Sequence, residues 1–572
     1  MNTQNVKEHA LVIFCFCVLT LILTFPLIFN MDKTMARDPK DTIVFMWNMW
    51  WMKTAITEGH SLFYTPYLFH PEGVDLTFHT LTPLNSFIGM LLVPLFGFIP
   101  TYNLLVLLTF PLAGYSMYLF GKYLTGNKSA AFLMGILFAF SSWHMYHMMT
   151  HLNFASLQFI PLYLLFLFKT IDEPTMRRSC ITGIILATIF YLEPTYALFM
   201  LMVTGLVILS LLWRTAEKEQ KRKGIICLSG MLIVFGLLVS PLVARMIIKS
   251  GEHATFRIEK ERVDLVDYLR RPESATVLPG KGGYPYLGWG VLLLAFIGVW
   301  YAKNRGVWCT MAGLALLITL GTKGILIAGK EWFPWLTLPA GVFAKIPLLD
   351  AVRFSRYSFL VSLGVIILAG WGAKVLLERF SLNAELFRRA LILLSLALLL
   401  IMDVAAVPVH LTGGRIEYPS ELLYYKHVIA RGEGGPVIDL PLAEWTTNPN
   451  SVNARNMFMQ MHHSQKIMGG LVSRVDTASL TTYQSVDRWT LDDFKKNVRY
   501  IIFHQDFANI ICDTPGDKKL GTNIIYCNTV WVVEKNVSML NLKKEIALAR
   551  VYDNGYIAIY DLYLLGEENE TA

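Results

Sequence analysis

Residues 10–29 read ALVIFCFCVLTLILTFPLIF and residues 225–244 read IICLSGMLIVFGLLVSPLVA, and neither run contains a charge. As a helix, each run is long enough to cross the hydrocarbon core of a bilayer, which is about 30 Å thick. The whole chain of 572 residues has the same character, with 54% hydrophobic and 16% charged residues. Soluble globular proteins carry about 25% charged residues. The sequence therefore predicts a polytopic membrane protein.

The charge distribution argues against nucleic-acid binding, because the net charge of +8 is spread over the loops rather than gathered in one stripe. The first apolar run is too long for the hydrophobic region of a signal peptide, and no small-residue cleavage site follows Phe29. We expect a retained first span with Lys7 on the cytoplasmic side. Charge inside the apolar runs is too sparse for an ion-coupled transporter.

Basic residues are expected on the cytoplasmic side of the spans. Further spans are predicted at Ala130–Met145, Phe154–Phe168, Ile181–Leu192, Tyr196–Trp213, Ile225–Ala244, Leu287–Ala302, Val307–Leu320, Tyr357–Ala373 and Ala390–Val409. All the basic loops fall on the cytoplasmic side only if the chain crosses the membrane once between the first outer loop and Lys122. Two apolar stretches lie there, Leu84–Pro100 and Tyr102–Phe120, so one of them is predicted to be re-entrant or interfacial. About 11 spans result, in the plasma (cell inner) membrane, with the N-terminus inside.

The chain after residue 410 changes character. Short β-like runs occur at Val437–Leu440, Tyr500–His504, Asn523–Cys527 and Trp531–Val533, and a charged helix is predicted near Leu491–Val498. Asn554-Gly555 is typical of a type I′ hairpin turn. We therefore expect a transmembrane domain over 1–409 and a soluble, extracytoplasmic α/β-type domain over 410–572. In an extracytoplasmic domain, Cys512 and Cys527 are candidates for a disulfide.

The first outer loop, about residues 30–80, carries an acidic pair beside an aromatic segment. Asp38-Pro39-Lys40-Asp41-Thr42 runs into Thr42–Ile56, which has three tryptophans and one charge. This pattern favours a helix lying in the membrane–water interface, capped by Asp41 or Thr42. The carboxylates are either turn and cap residues or catalytic groups. In the second case one acts as base on a sugar hydroxyl, and the other holds an acceptor or a metal.

This architecture resembles that of the GT-C glycosyltransferases. The segments Asp38–Thr42 with Trp47–Trp51, Phe69–Leu76 and Arg353–Tyr357 are similar to those of a large group of prokaryotic members. The resemblance implies an inverting transfer from a lipid-linked sugar, with a catalytic acidic residue in the first outer loop. Asp38 matches that position best. Many relatives have adjacent acidic residues, whereas Pro39 and Lys40 intervene here, so either Asp38 or Asp41 is the candidate base.

Two arginines are the candidate donor-phosphate site. Arg353 and Arg356 precede a span on the outer face, where the positive-inside tendency does not explain them. Guanidinium groups suit a departing phosphate because they neutralise its growing charge. The alternatives are snorkelling at the interface and a salt bridge to Asp350.

Of the histidines near the outer face, His70, His79 and His151 are the candidate substrate-binding residues, and a group is formed by His144, His147 and His151. The spacing of the last three predicts that one helix face carries all of them. Such a face would hold a metal or simply present polar tips at the membrane boundary. His79 or His151 near Asp38 would bind a sugar hydroxyl or tune the carboxylate. Glu193, at an outer span end, would contact the acceptor or lie at the interface.

The remaining outer segments are predicted to shape the site. The loop Lys249–Tyr286 is either a mobile cover or a plain linker, and the segments Gln460–His463 and Gly469–Arg474 would shape an acceptor site. No cofactor is certain, and a divalent cation, Mg²⁺ or Mn²⁺, is the one candidate.

The predicted function is a membrane glycosyltransferase that moves a sugar from a polyprenyl-phosphate donor to a cell-envelope glycan, lipid or protein acceptor. Its predicted partners are these substrates and membrane lipids, without nucleic acid. A non-catalytic flippase or binding and assembly protein for lipid-linked glycans is the alternative. The transferase hypothesis requires the acidic pair and the two arginines to converge on one outer cavity open to lipid.

Overall fold

The structure is a computed structural model. It describes residues 3–32, 39–149, 151–214, 218–250, 262–270, 285–343, 345, 352–381, 435–440, 450–470, 472, 491–504, 550–553 and 557–562. Statements about absent features below concern these residues.

The described chain is mostly helical. Its α-helices are α1 (Thr3–Leu23), α2 (Pro39–Glu58), α3 (Pro83–Phe96), α4 (Phe98–Thr125), α5 (Lys128–Ala139), α6 (Ser142–Met148), α7 (Leu152–Ala155), α8 (Phe159–Asp172), α9 (Met176–Leu192), α10 (Pro194–Arg214), α11 (Lys218–Lys249), α12 (Trp289–Tyr301), α13 (Arg305–Thr319), α14 (Ala340–Phe343), α15 (Ser358–Ser381), α16 (Asn450–His463) and α17 (Leu491–Asn497). Single 3₁₀ turns span Leu27–Asn30, Leu265–Tyr268 and Phe354–Tyr357.

Among the described residues, 5 helices are long and apolar enough to cross a membrane: Asn5–Leu23, Phe98–Thr125, Pro194–Trp213, Lys218–Lys249 and Phe354–Arg379. The predicted class, a helical protein with several membrane-crossing segments, agrees with this architecture. The count of about 11 spans stays a prediction. The last predicted span, Ala390–Val409, lies outside the described residues.

The two apolar stretches before Lys122 have different lengths. Tyr102–Phe120 lies within α4, a helix of 28 residues. Leu84–Pro100 contributes α3, whose 14 residues rise only about 21 Å. Gly97, with a φ of +84°, separates the two helices. Only α4 is long enough to cross, which agrees with a single crossing in this region.

Two predicted spans are interrupted in the structure. Ala130–Met145 is not one helix, because α5 ends at Ala139 and the Ser141 side chain caps α6 by accepting from His144 N. Phe154–Phe168 is divided between α7 and α8. At the break, the Ser156 hydroxyl accepts from Asn85 Nδ2 at 3.0 Å. Serine is favoured at helix ends because its hydroxyl can hydrogen-bond to nearby backbone groups. The two breaks bring polar loops into the helical bundle.

The first outer loop contains α2 and the short hairpin β1–β2 (Tyr64–Thr65 and Val74–Asp75). The expectation that its indole rings face the membrane interface is wrong. Trp47 and Trp51 are fully buried and Trp50 is 7% exposed, because α3 and α16 cover the helix. The predicted cap at Asp41 or Thr42 is also wrong, since α2 begins at Pro39 and both residues lie in its first turn.

The described C-terminal residues include a four-stranded sheet in the order β5-β6-β8-β7. Its strands are β5 (Val437–Leu440), β6 (Tyr500–His504), β7 (Arg550–Asp553) and β8 (Ile557–Asp561). β5 and β6 are parallel, and the other neighbouring pairs are antiparallel. Strands β5 and β6 have the bounds predicted from the sequence, and β7 and β8 flank the predicted Asn-Gly turn. The other two predicted strands and the pair Cys512–Cys527 lie outside the described residues, and the domain boundary near residue 410 stays a prediction.

The C-terminal part packs directly on the first outer loop. Trp47 Nε1 donates to Gln460 Oε1 of α16 at 2.8 Å, and Gln460 Nε2 donates to the carbonyl of Tyr67 at 2.7 Å. The backbone N–H of Ile467 donates to the same carbonyl at 2.9 Å. These hydrogen bonds fix the helix that carries Asp41, and the loop after it, against α16 and the segment that follows α16.

A hairpin that the sequence analysis did not predict follows α13. It consists of β3 (Lys323–Ile327) and β4 (Lys330–Thr337), paired antiparallel. The Asp264 carboxylate accepts hydrogen bonds from the backbone N–H groups of Ala328 and Gly329 at the turn. Residues 262–270 of the predicted covering loop are therefore tied to this hairpin, and the rest of that loop lies mostly outside the described residues.

Candidate functional site

An acidic side chain at the start of α2 meets a histidine between α6 and α7. Asp41 Oδ2 lies 3.3 Å from His151 Nε2. His151 is the residue just before α7, and its backbone N–H donates to the carbonyl of His147 at 2.8 Å. The break between α6 and α7 therefore decides where this imidazole points. The prediction that three histidines share one helix face is wrong, because α6 ends at Met148.

The electrostatic environment keeps His151 neutral. Burial, followed by the positive charges of Arg356 and Arg353, lowers the pKa of His151 to about 4. At neutral pH His151 is then uncharged, and its contact with Asp41 is a hydrogen bond rather than an ion pair. His151 in this way orients the carboxylate.

The two candidate arginines border the same place. Arg353 precedes the 3₁₀ turn Phe354–Tyr357, which leads into α15. The guanidinium carbon of Arg356 lies 4.5 Å from the centroid of the Phe154 ring in α7, a cation–π geometry. Both positive charges lower the pKa of His151, and the Phe154 ring that Arg356 contacts lies 6.0 Å from the ring of His151. Asp350, the alternative partner, lies outside the described residues, as does Asp38.

His147 forms a polar part of the wall behind this contact. Its ring centroid lies 5.6 Å from that of His151 and 5.0 Å from that of Phe154, and the residue is only 5% exposed. Within the described part of the chain, neither ring nitrogen of His147 has a hydrogen-bond partner. Buried polar groups are normally satisfied, so these nitrogens are available to a ligand. Of the three closely spaced histidines only His151 was predicted to bind substrate, although the spacing of four between His147 and His151 placed both on one predicted face.

Glu193 is engaged in the protein rather than exposed to an acceptor. It is 6% exposed, it accepts a hydrogen bond from Asn153 Nδ2, and its Oε1 accepts from the backbone N–H of Thr195 at 3.1 Å. These bonds join α7 to the start of α10. The predicted contact of Glu193 with an acceptor is therefore not what the structure shows, and Glu193 supports the loop that carries Phe154.

The other predicted histidines lie apart from the Asp41–His151 contact. His79 Nε2 is 2.9 Å from Asn48 Oδ1 inside the first outer loop, where burial lowers the pKa of His79 to about 3. His144 Nε2 is 2.9 Å from Thr109 Oγ1, and its ring stacks on Phe110 at 4.0 Å between centroids. Both side chains stabilise packing between elements.

His70 joins the first outer loop to the C-terminal residues. Its backbone N–H donates to the carbonyl of Ile467 at 3.1 Å. Burial and the charge of Lys466 lower the pKa of His70. Gly469 accepts a hydrogen bond from the N–H of Phe69, and a Cβ at Gly470 would meet Leu68 at 3.0 Å. The segments Gln460–His463 and Gly469–Arg474 were predicted to shape an acceptor site. Their described residues hold the first outer loop in place.

An ion pair ties the outer loop to the membrane bundle. Arg245, near the end of α11, donates from Nη2 to Asp75 Oδ2 at 2.7 Å and from Nε to Thr77 Oγ1 at 2.7 Å. Burial alone would raise the pKa of Asp75, but hydrogen bonds from Thr77 and Arg245 lower it on balance. This contact gives the segment Phe69–Leu76 a structural role beside the site.

The described residues near Asp41 do not by themselves form a metal site. In the described ranges, no group of three or more His, Cys, Asp or Glu side chains could hold a metal ion. Asp41 and His151 alone are a poor ligand set for a divalent cation, which prefers several carboxylate or carbonyl oxygens.

The comparison with a protein-family model establishes the family. The model described as "6-pyruvoyl-tetrahydropterin synthase related domain; membrane protein" matches residues 78–408, more than half of the chain. The chain belongs to this family. Its description as a membrane protein agrees with the apolar helices. Among curated proteins, none matches the sequence.

Solved structures of GT-C glycosyltransferases share the fold. The mycobacterial arabinofuranosyltransferase AftD is 13% identical with a TM-score of 0.54, and the match covers 97% of this chain and 40% of AftD. This chain therefore spans less than half the length of AftD. ArnT from Cupriavidus metallidurans is 12% identical with a TM-score of 0.45, covering 96% of this chain and 97% of ArnT.

The oligosaccharyltransferase of Archaeoglobus fulgidus is 11% identical with a TM-score of 0.45, covering 87% of this chain and 70% of that protein. At these identities the similarity shows a shared fold only. This conclusion rests on the comparison with AftD, which has the TM-score of 0.54. The resemblance to GT-C glycosyltransferases inferred from the sequence is confirmed at that level.

Proposed function

We propose that this chain is an inverting glycosyltransferase of the GT-C type. It would move a sugar from a polyprenyl-phosphate donor to a cell-envelope glycan, lipid or protein acceptor at the outer face of the plasma membrane. The observation that carries this proposal is the contact of Asp41 with His151, whose pKa is set by burial, Arg356 and Arg353. A carboxylate and two guanidinium groups thus act on one place beside an aromatic wall.

Each group has a defined task in this reaction. The acceptor hydroxyl attacks C1 of the sugar from the face opposite the phosphate, and the C1–O bond to the phosphate breaks. Arg353 and Arg356 neutralise the charge that grows on the departing phosphate. The carboxylate of Asp41, or that of Asp38, takes the hydroxyl proton. The products are the glycosylated acceptor and free polyprenyl phosphate.

Two features of the surroundings support this assignment. His151 lies within 3.3 Å of Asp41 and orients its carboxylate. The guanidinium carbon of Arg356 lies 4.5 Å from the centroid of the Phe154 ring, and this contact helps to hold the guanidinium in place. We also propose that Asp38 and Asp41 together hold a divalent cation. Addition of EDTA tests it, since loss of activity that Mg²⁺ or Mn²⁺ restores would show a metal-dependent site.

The alternative is a flippase or a binding protein for lipid-linked glycans, which would use the same arginines for the phosphate without needing a base. Reconstitution with a panel of radiolabelled polyprenyl-phosphate sugars separates the two functions. Release of free polyprenyl phosphate by the wild type, lost in Asp38→Asn or Asp41→Asn and kept in Glu58→Gln, would support the transferase. Binding without release, unchanged in both aspartate variants with acceptors present, would favour the alternative.

A further inference from the structure

A polar cavity lies at the junction of the first outer loop and the C-terminal residues. It has a volume of about 230 Å³ and is lined by Tyr67, Gly435, Pro436, Ser464, Gln465 and Lys466. Pockets for drug-sized ligands measure about 300–1,000 Å³. This cavity therefore suits a smaller unit, such as a single residue of a longer ligand.

The cavity is separate from the site at the start of α2. The Tyr67 ring lies 5.4 Å from the Trp50 ring and 5.9 Å from the Trp51 ring, measured between centroids. These tryptophans follow Asp41 by nine and ten positions, which is about 14–15 Å along a helix. A small ligand in this cavity therefore lies beyond the reach of Asp41.

The backbone around the cavity is held by hydrogen bonds within the protein. Gln465 Oε1 accepts from the backbone N–H of Gly435 at 2.8 Å. The carbonyl of Lys466 accepts from the backbone N–H of Val437 at 2.8 Å. The walls are thus formed before any ligand arrives, as they are in most small-molecule sites.

Two side chains of the lining keep their polar groups free for a ligand. Among the described residues, the Lys466 ammonium makes no ion pair and the Ser464 hydroxyl makes no hydrogen bond. Burial lowers the pKa of His70, and the charge of Lys466 lowers it further, by more than Glu72 raises it. The cavity therefore carries a positive charge without a counter-ion in the described part of the chain.

Ser464 occupies a turn that few side chains favour. Its φ is +57°, in the left-handed region that glycine adopts without steric cost. The backbone N–H of Ser464 donates to the carbonyl of Gln460 at 2.7 Å, which ends α16 and holds this conformation. Backbone of this kind often occurs at ligand-binding positions. The turn leaves Ser464 exposed at the cavity.

The chemistry of the lining suits an acidic sugar. A serine hydroxyl both donates and accepts hydrogen bonds, as sugar hydroxyls do, and an ammonium group pairs with a carboxylate. We propose that this cavity binds one residue of an acidic saccharide, with the sugar carboxylate against Lys466 and a sugar hydroxyl against Ser464. This inference concerns binding alone and does not rest on the proposed transfer reaction.

Titration calorimetry on the full chain in detergent, without a lipid-linked donor, tests the inference. The probes are trisaccharides of galacturonic, glucuronic and mannuronic acid, each compared with a counterpart whose carboxyl groups are reduced to alcohols. We expect at least one acidic trisaccharide to bind. Its reduced counterpart should bind about 10–100-fold more weakly, because it lacks the charged hydrogen bond to Lys466.

Two variants connect this binding to the cavity. Lys466→Gln should weaken binding of the acidic trisaccharide about 10–100-fold. Lys330→Gln, which removes an exposed lysine of β4, is the matched control and should leave the Kd unchanged. Ser464→Gly removes the hydroxyl and relieves the left-handed backbone, so we expect weaker binding without a fall in Tm. A purely structural role of Ser464 would leave binding unchanged.

Four results would overturn the inference. The first three are no binding of any acidic trisaccharide, equal binding of an acidic trisaccharide and its reduced counterpart, and an unchanged Kd in Lys466→Gln. The fourth is displacement of the bound trisaccharide by inorganic phosphate at equal concentration, which would show a general anion site without recognition of the sugar.

Discussion

Replacing Asp41 by asparagine separates a catalytic base from a positioning residue. The asparagine side chain has nearly the same shape and can still accept the hydrogen bond from His151 Nε2, which lies 3.3 Å from the carboxylate in the wild type. It cannot take a proton from an acceptor hydroxyl. A general base contributes about 10²–10⁴-fold to a rate, which corresponds to about 3–5 kcal/mol of activation free energy.

The assay is release of polyprenyl phosphate from a labelled donor by the full chain in liposomes. We expect kcat of Asp41→Asn to fall about 10²–10⁴-fold while donor binding changes little. The matched control is Glu58→Gln, a carboxylate at the other end of α2 that contacts the Tyr67 hydroxyl at 2.8 Å. Full activity in Asp41→Asn, together with loss in Asp38→Asn, would refute Asp41 as the base and assign the task to Asp38. Full activity in both variants would refute a carboxylate base in this loop.

Removing the guanidinium in Arg356→Ala should weaken binding of polyprenyl phosphate about 10–100-fold, since a charged hydrogen bond contributes about 1.5–3 kcal/mol; an unchanged Kd by direct titration would contradict the phosphate site. Trp47→Phe leaves Gln460 Oε1 without its donor, so we expect a loss of about 1–3 kcal/mol and a lower Tm. The exposed Trp300→Phe is its control, and equal shifts in Tm would contradict the argument. The pKa of His79 is depressed to about 3, so its contribution to stability is complete above about pH 6.5 and is lost as the pH falls, by about 2 kcal/mol at pH 5. His79→Gln should flatten the dependence of Tm on pH between about 8 and 5, and an unaltered slope would show that other groups cause it.

Burial of the aromatic helix could not be predicted from its own residues. Three tryptophans and a single charge suit an interfacial helix and a helix enclosed by protein equally well. The difference lies in α16, more than 400 residues later in the sequence, which supplies Gln460 as the partner of Trp47. Long-range contacts of this kind leave no local pattern in the sequence.

The predicted site residues had different outcomes for a related reason. Asp41, His151, Arg353 and Arg356 were selected by their residue types and by their position near span ends. The structure places Asp41 against His151, whose pKa both arginines lower. Glu193 and His79 were selected on the same grounds, yet they bond to Asn153 and Asn48 within the protein.

The sequence by itself determined that the chain is a helical membrane protein, with an acidic pair before an aromatic segment and an arginine pair before a late apolar segment. Composition and order along the chain are sufficient for these conclusions, because the bilayer requires long apolar helices. Only the tertiary structure shows that a break separates α5 from α6 and another separates α7 from α8. It also shows that His151, just before α7, contacts Asp41. It also decided that the hairpin after α13 exposes its aromatic rings. Each of these depends on which elements pack together, and packing is set by contacts between residues far apart in the sequence.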